Sequence, residues 1–205
     1  MKKGLMSKAT LSRVPVYLRY LKESSNQGDS MISAPKIAKA VSLGEVQVRK
    51  DLSLVSGRGK PRTGYDRKQL IKDLENCLGA SNLTNAVLVG AGKLGSALLE
   101  YGGFEEYGVR IVAGFDCNQK VINSSKNTIL PMTDIEKFCS NNDIKIGIIT
   151  VGQGSAQQVC DKLVACGVKA IWNFAPCTLT VPQNVLLKQE RLALSLAHLN
   201  SLIKV

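Results

Sequence analysis

Three observations predict an α/β chain in two parts. Residues 86–98 read Ala-Val-Leu-Val-Gly-Ala-Gly-Lys-Leu-Gly-Ser-Ala-Leu, a strand-like run that turns through glycines into a helix-like one. From there onward strand and helix patterns alternate, as they do when a mostly parallel sheet is being laid down. Positive charge is concentrated ahead of that region: residues 1–78 hold 16 Lys and Arg against 7 Asp and Glu, whereas residues 79–205 hold 11 against 9. Nearly all of the net charge of +11 therefore belongs to the first part, and 205 residues suit two domains better than one. We expect a basic domain over 1–78, a sheet domain over 79–188 and a terminal helical segment over 189–205.

In the basic part, Thr10 is expected to cap a helix with Leu11, Val14, Val16, Leu18 and Leu21 on its apolar side and Pro15 disturbing its first turn. Gly28 and Asp29 end that element. Ser33-Ala-Pro35 opens a short helix through Val41, Ser42-Leu-Gly44 makes a tight turn, and a second helix follows from Glu45 to Val55. Two short helices about such a turn predict a helix-turn-helix. In the second, Val48, Leu52 and Val55 form one buried stripe and leave Gln47, Arg49, Lys50 and Ser53 on other faces, free to meet a partner. Gly57-Arg-Gly-Lys-Pro-Arg-Thr-Gly64 is too irregular for a helix. It reads as a wing, a β-ribbon offering Arg58, Lys60 or Arg62 to phosphates or a minor groove, the plainer reading being a solvated charged loop. Tyr65 to Leu78 forms a connecting helix, and Gly79 to Asn85 a polar linker.

Charge so unevenly placed points to a polyanion, double-stranded DNA first, since cations that displace counterions from phosphates gain affinity without reading any base. An anionic membrane is the competing partner, but the sequence has no long apolar span, signal-peptide pattern or lipidation motif. A soluble, cytoplasmic protein is expected.

The glycine turn carries the second function. Gly90, Gly92 and Gly95 lie between the strand Ala86–Val89 and the helix Leu94–Tyr101, the setting in which a glycine trio becomes a dinucleotide fingerprint. Gly90 makes the turn, Gly92 admits a pyrophosphate to the backbone, and Gly95 lets the helix pack on the strand. Asp116 closes the strand-like Val109–Phe115, 21 residues after Gly95. A carboxylate there accepts both adenosine ribose hydroxyls and repels a 2′-phosphate, which favours NAD(H) over NADP(H). The alternative is a glycine-rich turn that binds nothing. Beyond it we expect a helix over Asp134–Asn141, a strand over Ile144–Val151, a helix over Ser155–Cys166, a strand over Val168–Phe174, and a final amphipathic helix over Glu190–Ile203 with Leu192, Leu196, Leu199 and Ile203 on one face. The six cysteines show no Cys-x-x-Cys pair, so zinc is not expected and most are read as buried thiols. Cys117 is the exception, placed beside Asp116.

A basic winged helix joined to this nucleotide pattern resembles the Rex family of redox-sensing transcriptional repressors. The matching strings are Lys8-Ala-Thr with Tyr17-Leu-Arg19-Tyr, Val48-Arg-Lys-Asp-Leu-Ser53, Gly64-Tyr-Asp66, Gly90-Ala-Gly-Lys-Leu-Gly-Ser-Ala-Leu98, Phe115-Asp116, Thr150-Val151 and Asn173-Phe-Ala-Pro176, spread over nearly the whole chain. The resemblance implies a homodimeric repressor, released from operator DNA when NADH replaces NAD+, that controls genes of fermentative or anaerobic NADH reoxidation. It also implies a Rossmann-like second domain and a terminal helix swapped between subunits. By the same likeness Arg49 and Lys50 meet base edges, with Arg58 and Lys60 near the backbone or minor groove. Gly90, Gly92, Lys93 and Leu94 lie along the diphosphate with Asp116 on the ribose, while Tyr101, Ala175 and Pro176 belong to the nicotinamide end. Val151 and Gly152 lie by the nicotinamide ribose, Gly152 where the family usually has proline. In the family an aspartate at the start of the final helix partners a tyrosine matching Tyr101 and, from the other subunit, an arginine matching Arg19. Here Arg191 falls at that position unless Glu190 substitutes by a shift of one residue.

Other functions remain open at this point. A dehydrogenase needs a proton donor beside the hydride, but the single histidine, His198, falls in the terminal helix, no Tyr-x-x-x-Lys occurs, and no length is left for a substrate domain. An acyl-CoA or other nucleotide in the same crevice is a second alternative, which Asp116 disfavours because the 3′-phosphate of CoA fits it poorly. A third is a structural DNA-binding dimer that uses the nucleotide fold only as a scaffold.

Overall fold

The computed structural model describes residues 6–24, 30–79, 82–124 and 128–203. The expected stop at Gly28 and Asp29 lies outside them, as do residues 80 and 81 of the linker. The described residues form two compact units, one reaching to Leu83 and including Glu105–Gly108, the other made of Thr84–Phe104 and the chain from Val109.

In the first unit α1 spans Lys8–Glu23 and is capped by Ser7, whose Oγ accepts from the Thr10 amide at 3.1 Å. This corrects the expected cap at Thr10. The helix starts earlier because Ser7 already has the extended backbone of a cap, and the Thr10 hydroxyl goes inward instead. Pro15 consequently sits mid-helix, where it removes one ladder bond without ending the element. The buried stripe is Val14, Tyr17, Leu18 and Leu21; Val16, expected on it, is exposed because it falls off the 3.6-residue period set by the other four, whereas Leu11 keeps that period but stays 38% exposed near the start of the helix.

Helix α2 (Ala34–Ala40) starts at Ser33, whose Oγ accepts from the Lys36 amide at 3.4 Å, and α3 (Glu45–Ser56) starts at Gly44. Val48, Leu52 and Val55 of α3 are buried, each worth about 1.5–3 kcal/mol of apolar transfer. Strand β1 (Met31–Ile32) pairs antiparallel with β2 (Tyr65–Asp66), and α4 (Arg67–Leu78) is capped by Asp66 and stopped by left-handed Gly79. Buried Arg67 donates to the Leu21 carbonyl at 3.1 Å and to Ser24 Oγ at 2.8 Å, serving the carbonyl end of α1.

The second unit is a six-stranded parallel sheet of β3 (Thr84–Val89), β4 (Val109–Asp116), β5 (Ile129–Pro131), β6 (Ile146–Ile149), β7 (Ala170–Asn173) and β8 (Leu186–Gln189), in the order β5-β4-β3-β6-β7-β8. Its helices are α5 (Lys93–Glu100), α6 (Gln119–Ser124), α7 (Ile135–Asn141), α8 (Gln153–Ala165) and α9 (Leu192–Ile203). The chain leaves β3 toward β4 on one side and later returns to β6 on the other. That reversal opens a crevice beyond the carboxyl ends of β3 and β6, where doubly wound sheets bind ligands.

The expected β6 over Ile144–Val151 is trimmed at both ends, and α8 starts at Gln153 because Gly152 takes the capping conformation. The last helix starts at Leu192 rather than Glu190. The Glu190 amide still donates to the Asn173 carbonyl at 2.8 Å, extending the β7–β8 ladder one residue further. Likewise α5 ends at Glu100, leaving Tyr101 extended.

Candidate nucleic-acid and nucleotide sites

The face of α3 opposite its buried stripe carries Val46, Arg49, Lys50 and Ser53, which with Arg58, Lys60 and Arg62 line a groove of about 680 Å³. The loop is closed by an antiparallel bridge between Lys60 and Gly64, whose two amide-to-carbonyl bonds are 2.7 and 2.9 Å. The wing is thus a single tight turn, shorter than the expected ribbon. Arg49 is ion-paired with Glu45 one turn earlier, and Ser53 Oγ donates to the Lys50 carbonyl at 2.7 Å. Gln47 stands apart from the groove: its amide donates to Asp51 Oδ1 at 2.9 Å.

Asp51 fixes α3 in place. Its side chain, 1% exposed, accepts from Arg13 Nε at 2.7 Å, a second Arg13 nitrogen at 3.0 Å, Tyr17 Oη at 2.7 Å and Thr10 Oγ1 at 3.2 Å, so three residues of α1 hold one of α3. Burial pushes its pKa up, but the hydrogen bonds from Arg13, Tyr17 and Gln47 outweigh burial and hold the carboxyl below its ordinary range. Burial and the same carboxylate push Tyr17 up to about 12. Sequence reading missed this clamp, although Asp51 adjoins Leu52 on the inward side of α3, where a carboxylate needs partners.

In the second unit the glycine turn has the geometry its sequence implies. Gly90 has φ of +100°, and a Cβ there would lie 2.8 Å from the Val151 side chain; one on Gly95 would lie 2.0 Å from the Gly90 carbonyl oxygen. A Cβ on Gly92 would meet nothing within 4 Å, so its backbone faces open space at the start of α5. Gly90, Gly92, Asp116, Cys117, Val151 and Gly152 share a cleft of about 550 Å³, with Met132, Ser155, Gln158 and Lys162 among its other walls. Asp116 accepts from the Ala91 amide through Oδ2 and from the Asn118 amide through Oδ1, both at 2.8 Å. Thr150 Oγ1 donates to the Gly90 carbonyl at 2.7 Å and ties β6 to the turn. Lys93, Leu94 and Gly95 form the first turn of α5 behind Gly92. These residues fit a dinucleotide: amides at a helix start for the diphosphate, a carboxylate for the ribose.

Tyr101, Ala175 and Pro176 do not line that cleft. Ala175 and Pro176 border a second cavity, of about 530 Å³, together with Glu190, Arg191 and the first residues of α9. Buried Asn173 shapes its wall, donating to the carbonyls of Ala175 at 3.2 Å and Cys177 at 3.1 Å and to Gln189 Oε1 at 2.8 Å. Tyr101 is exposed and stacks edge-on with Phe104, which meets Trp172 in the same way. Trp172 Nε1 in turn donates to Glu190 Oε1 at 2.9 Å. Arg191 is exposed, and Arg19, in the first unit, pairs with Glu23 at 3.3 Å.

Comparison with known proteins finds a family model described as "CoA binding domain" over residues 81–177 and one described as "Putative DNA-binding protein N-terminus" over residues 6–53. The redox-sensing transcriptional repressor Rex of Carboxydothermus hydrogenoformans is 40% identical over 198 residues, covering 96% of this chain and 95% of the relative. The chain belongs to the Rex family. Rex of Bacteroides fragilis is 37% identical over 92% of this chain and 86% of the relative, and Rex of Clostridium acetobutylicum 35% over 99% and 96%. Among solved structures, RSP in complex with β-NAD+ and operator DNA matches with a TM-score of 0.89 at 32% identity, covering 97% of this chain and 93% of that one. RSP in complex with β-NADH matches at 0.84, also 32% identical, over 97% and 94%. Among the described residues no helix is long and apolar enough to cross a membrane.

Proposed function

We propose that this Rex-family chain is a homodimeric, NADH-sensing repressor that occupies operator DNA through the α3 groove and is released when NADH replaces NAD+ in the Asp116 cleft. The observation that carries this reading is full-length likeness to Rex repressors, including RSP held with β-NAD+ and operator DNA. In the proposal Arg49 and Lys50 meet base edges, and Arg58, Lys60 and Arg62 meet phosphates or the minor groove. Gln47 serves through Asp51 rather than by touching DNA. Gly90, Gly92, Lys93, Leu94 and Gly95 form the diphosphate turn, and Asp116 takes the ribose. Val151 and Gly152 lie toward the nicotinamide, and Tyr101, Ala175 and Pro176 complete that end as the subunits close. The apolar face of α9 is covered by the partner subunit. Such a protein is a cytoplasmic regulator and not an enzyme: its single histidine, His198, stands exposed on α9, away from the cleft.

One observation favours a second reading, in which DNA binding persists but the response to NADH is weakened. Glu190, the residue available to stand in for the family's aspartate, is engaged by Trp172 of its own chain, and Arg191 is cationic like Arg19. Two guanidinium groups brought together repel instead of latching. Titrating a chain–operator complex separately with NADH and NAD+ at fixed salt decides between them. Release by NADH alone supports the sensor; binding indifferent to both nucleotides supports the second reading.

A further inference from the structure

Of the four α3 residues that line the groove, three are polar and one is not. Val46, Arg49, Lys50 and Ser53 stand at i, i+3, i+4 and i+7, one stripe of the helix, directly opposed to the buried stripe of Val48, Leu52 and Val55. Val46 heads that outward stripe and is 80% exposed, more than any apolar side chain of the first unit among the exposed large ones. It does no work for the fold, and valine is a poor residue for the exposed first turn of a helix.

We propose that Val46 is a specificity residue that reads the 5-methyl group of a thymine in the operator half-site. The inference rests on the reading of this groove as the DNA interface. In the major groove a thymine differs from a cytosine at the ring edge by its methyl group and by an acceptor in place of a donor, and an apolar side chain recognises the methyl by excluding water from it. Arg49 and Lys50 follow at one turn's distance and are donors suited to guanine N7 and O6. A stripe that begins apolar and continues cationic therefore specifies a thymine beside one or more guanines. The Asp51 clamp holds α3 from behind, so Val46 is presented by a helix fixed on its rotational axis. Gln47, the exposed polar residue next to Val46, is drawn away toward Asp51, and Glu45 is paired with Arg49, which leaves the thymine to Val46.

The test uses the full-length chain and a duplex it selects from a random-sequence pool. Each thymine of one half-site is replaced in turn by deoxyuridine, which removes the methyl group and nothing else, and affinities are measured for the wild type, Val46→Ala and Val46→Thr. At one position the wild type is expected to lose roughly four-fold, about the worth of one buried methyl-sized group. Val46→Ala, which loses both γ-methyl groups, should lose a similar factor on the thymine duplex and no longer distinguish thymine from deoxyuridine, while Val46→Thr, which keeps one γ-methyl at valine's reach, should still distinguish them. A wild type indifferent to deoxyuridine at every position, or a Val46→Ala chain that stays as sensitive as the wild type, overturns the proposal while leaving DNA binding in place. Recovery of no preferred duplex overturns both this inference and the reading it rests on.

Discussion

The indole N–H of Trp172 donates to the carboxylate of Glu190 at 2.9 Å, joining β7 to the residue that leads into α9. Trp172 also sits at the end of an edge-to-face series that starts at Tyr101, with ring centroids 5.0 and 5.8 Å apart. The approach to α9 is therefore tied to the residue that follows α5, the helix of the glycine turn. Glu190→Ala is expected to cost about 1–2 kcal/mol of stability, the range for a hydrogen bond to a charged acceptor that is partly wet. Trp172 is the only tryptophan, so its emission reports the change directly. If this aromatic series takes part in the proposed NADH response, the variant should bind NADH normally yet change how far NADH lowers affinity for a selected duplex. An unaltered response would confine the contact to structure.

Asp116→Ala should weaken NADH binding by roughly 10- to 100-fold, the loss of about 1.5–3 kcal/mol that goes with removing a charged acceptor, and leave binding of the nucleotide-free chain to DNA unchanged. The Ala91 amide also loses its acceptor, so part of the effect comes from a slacker turn. Fluorescence titration with NADH measures it. Unchanged affinity would remove Asp116 from the ribose site.

Arg49→Ala should cost about 1–3 kcal/mol at a selected duplex and relax the preference at one base position, whereas Arg58→Ala should weaken all duplexes alike and flatten the dependence on salt. Footprints and affinities at two salt concentrations separate these outcomes.

Asp51→Ala is expected to destabilise the first unit by about 3–5 kcal/mol, because it leaves Arg13 charged and partly buried without its partner. The clamp also has a definite pH dependence. The folded carboxyl titrates below its unfolded value of about 3.9, so its contribution is complete above that value and is lost as pH falls through the lower, folded one. Acid unfolding of the wild type should therefore show a carboxylate transition below about pH 4 that Asp51→Asn removes.

Six large apolar side chains of α9, from Leu192 to Ile203, are 57–83% exposed. Leu196→Glu together with Leu199→Glu should convert a dimer to monomers in sedimentation velocity, with the fold of each unit unchanged by circular dichroism. Persistence of the dimer would place the subunit contact elsewhere.

The glycine turn, the helix-turn-helix and the parallel sheet were legible because each is written in a short local period or a residue type with one steric use. Gly90 and Gly95 are examples, since any side chain there meets backbone or Val151. The edge strands Ile129–Pro131 and Leu186–Gln189 were not legible, being too short to show alternation. The long-range polar assemblies were also missed. Asp51 with Arg13 and Asn173 with Gln189 are separated by 38 and 16 positions; the inward place of Asp51 on α3 marks it as needing partners, but nothing local says which residues supply them. Glu190 was placed in the helix because its neighbours are helical in period, yet its amide completes a strand.

The outward stripe of α3 covers seven residue steps, about 10 Å of helix at 1.5 Å per residue, which spans only about three base pairs at 3.4 Å each. A word of three letters recurs every few dozen positions in any chromosome, so one copy of this chain, however well it reads, can address nothing in particular. A usable address needs a second word at a fixed spacing. In the dimer proposed above, the exposed leucines of α9 would set that spacing, turning a short reader into one that can be found at a single place.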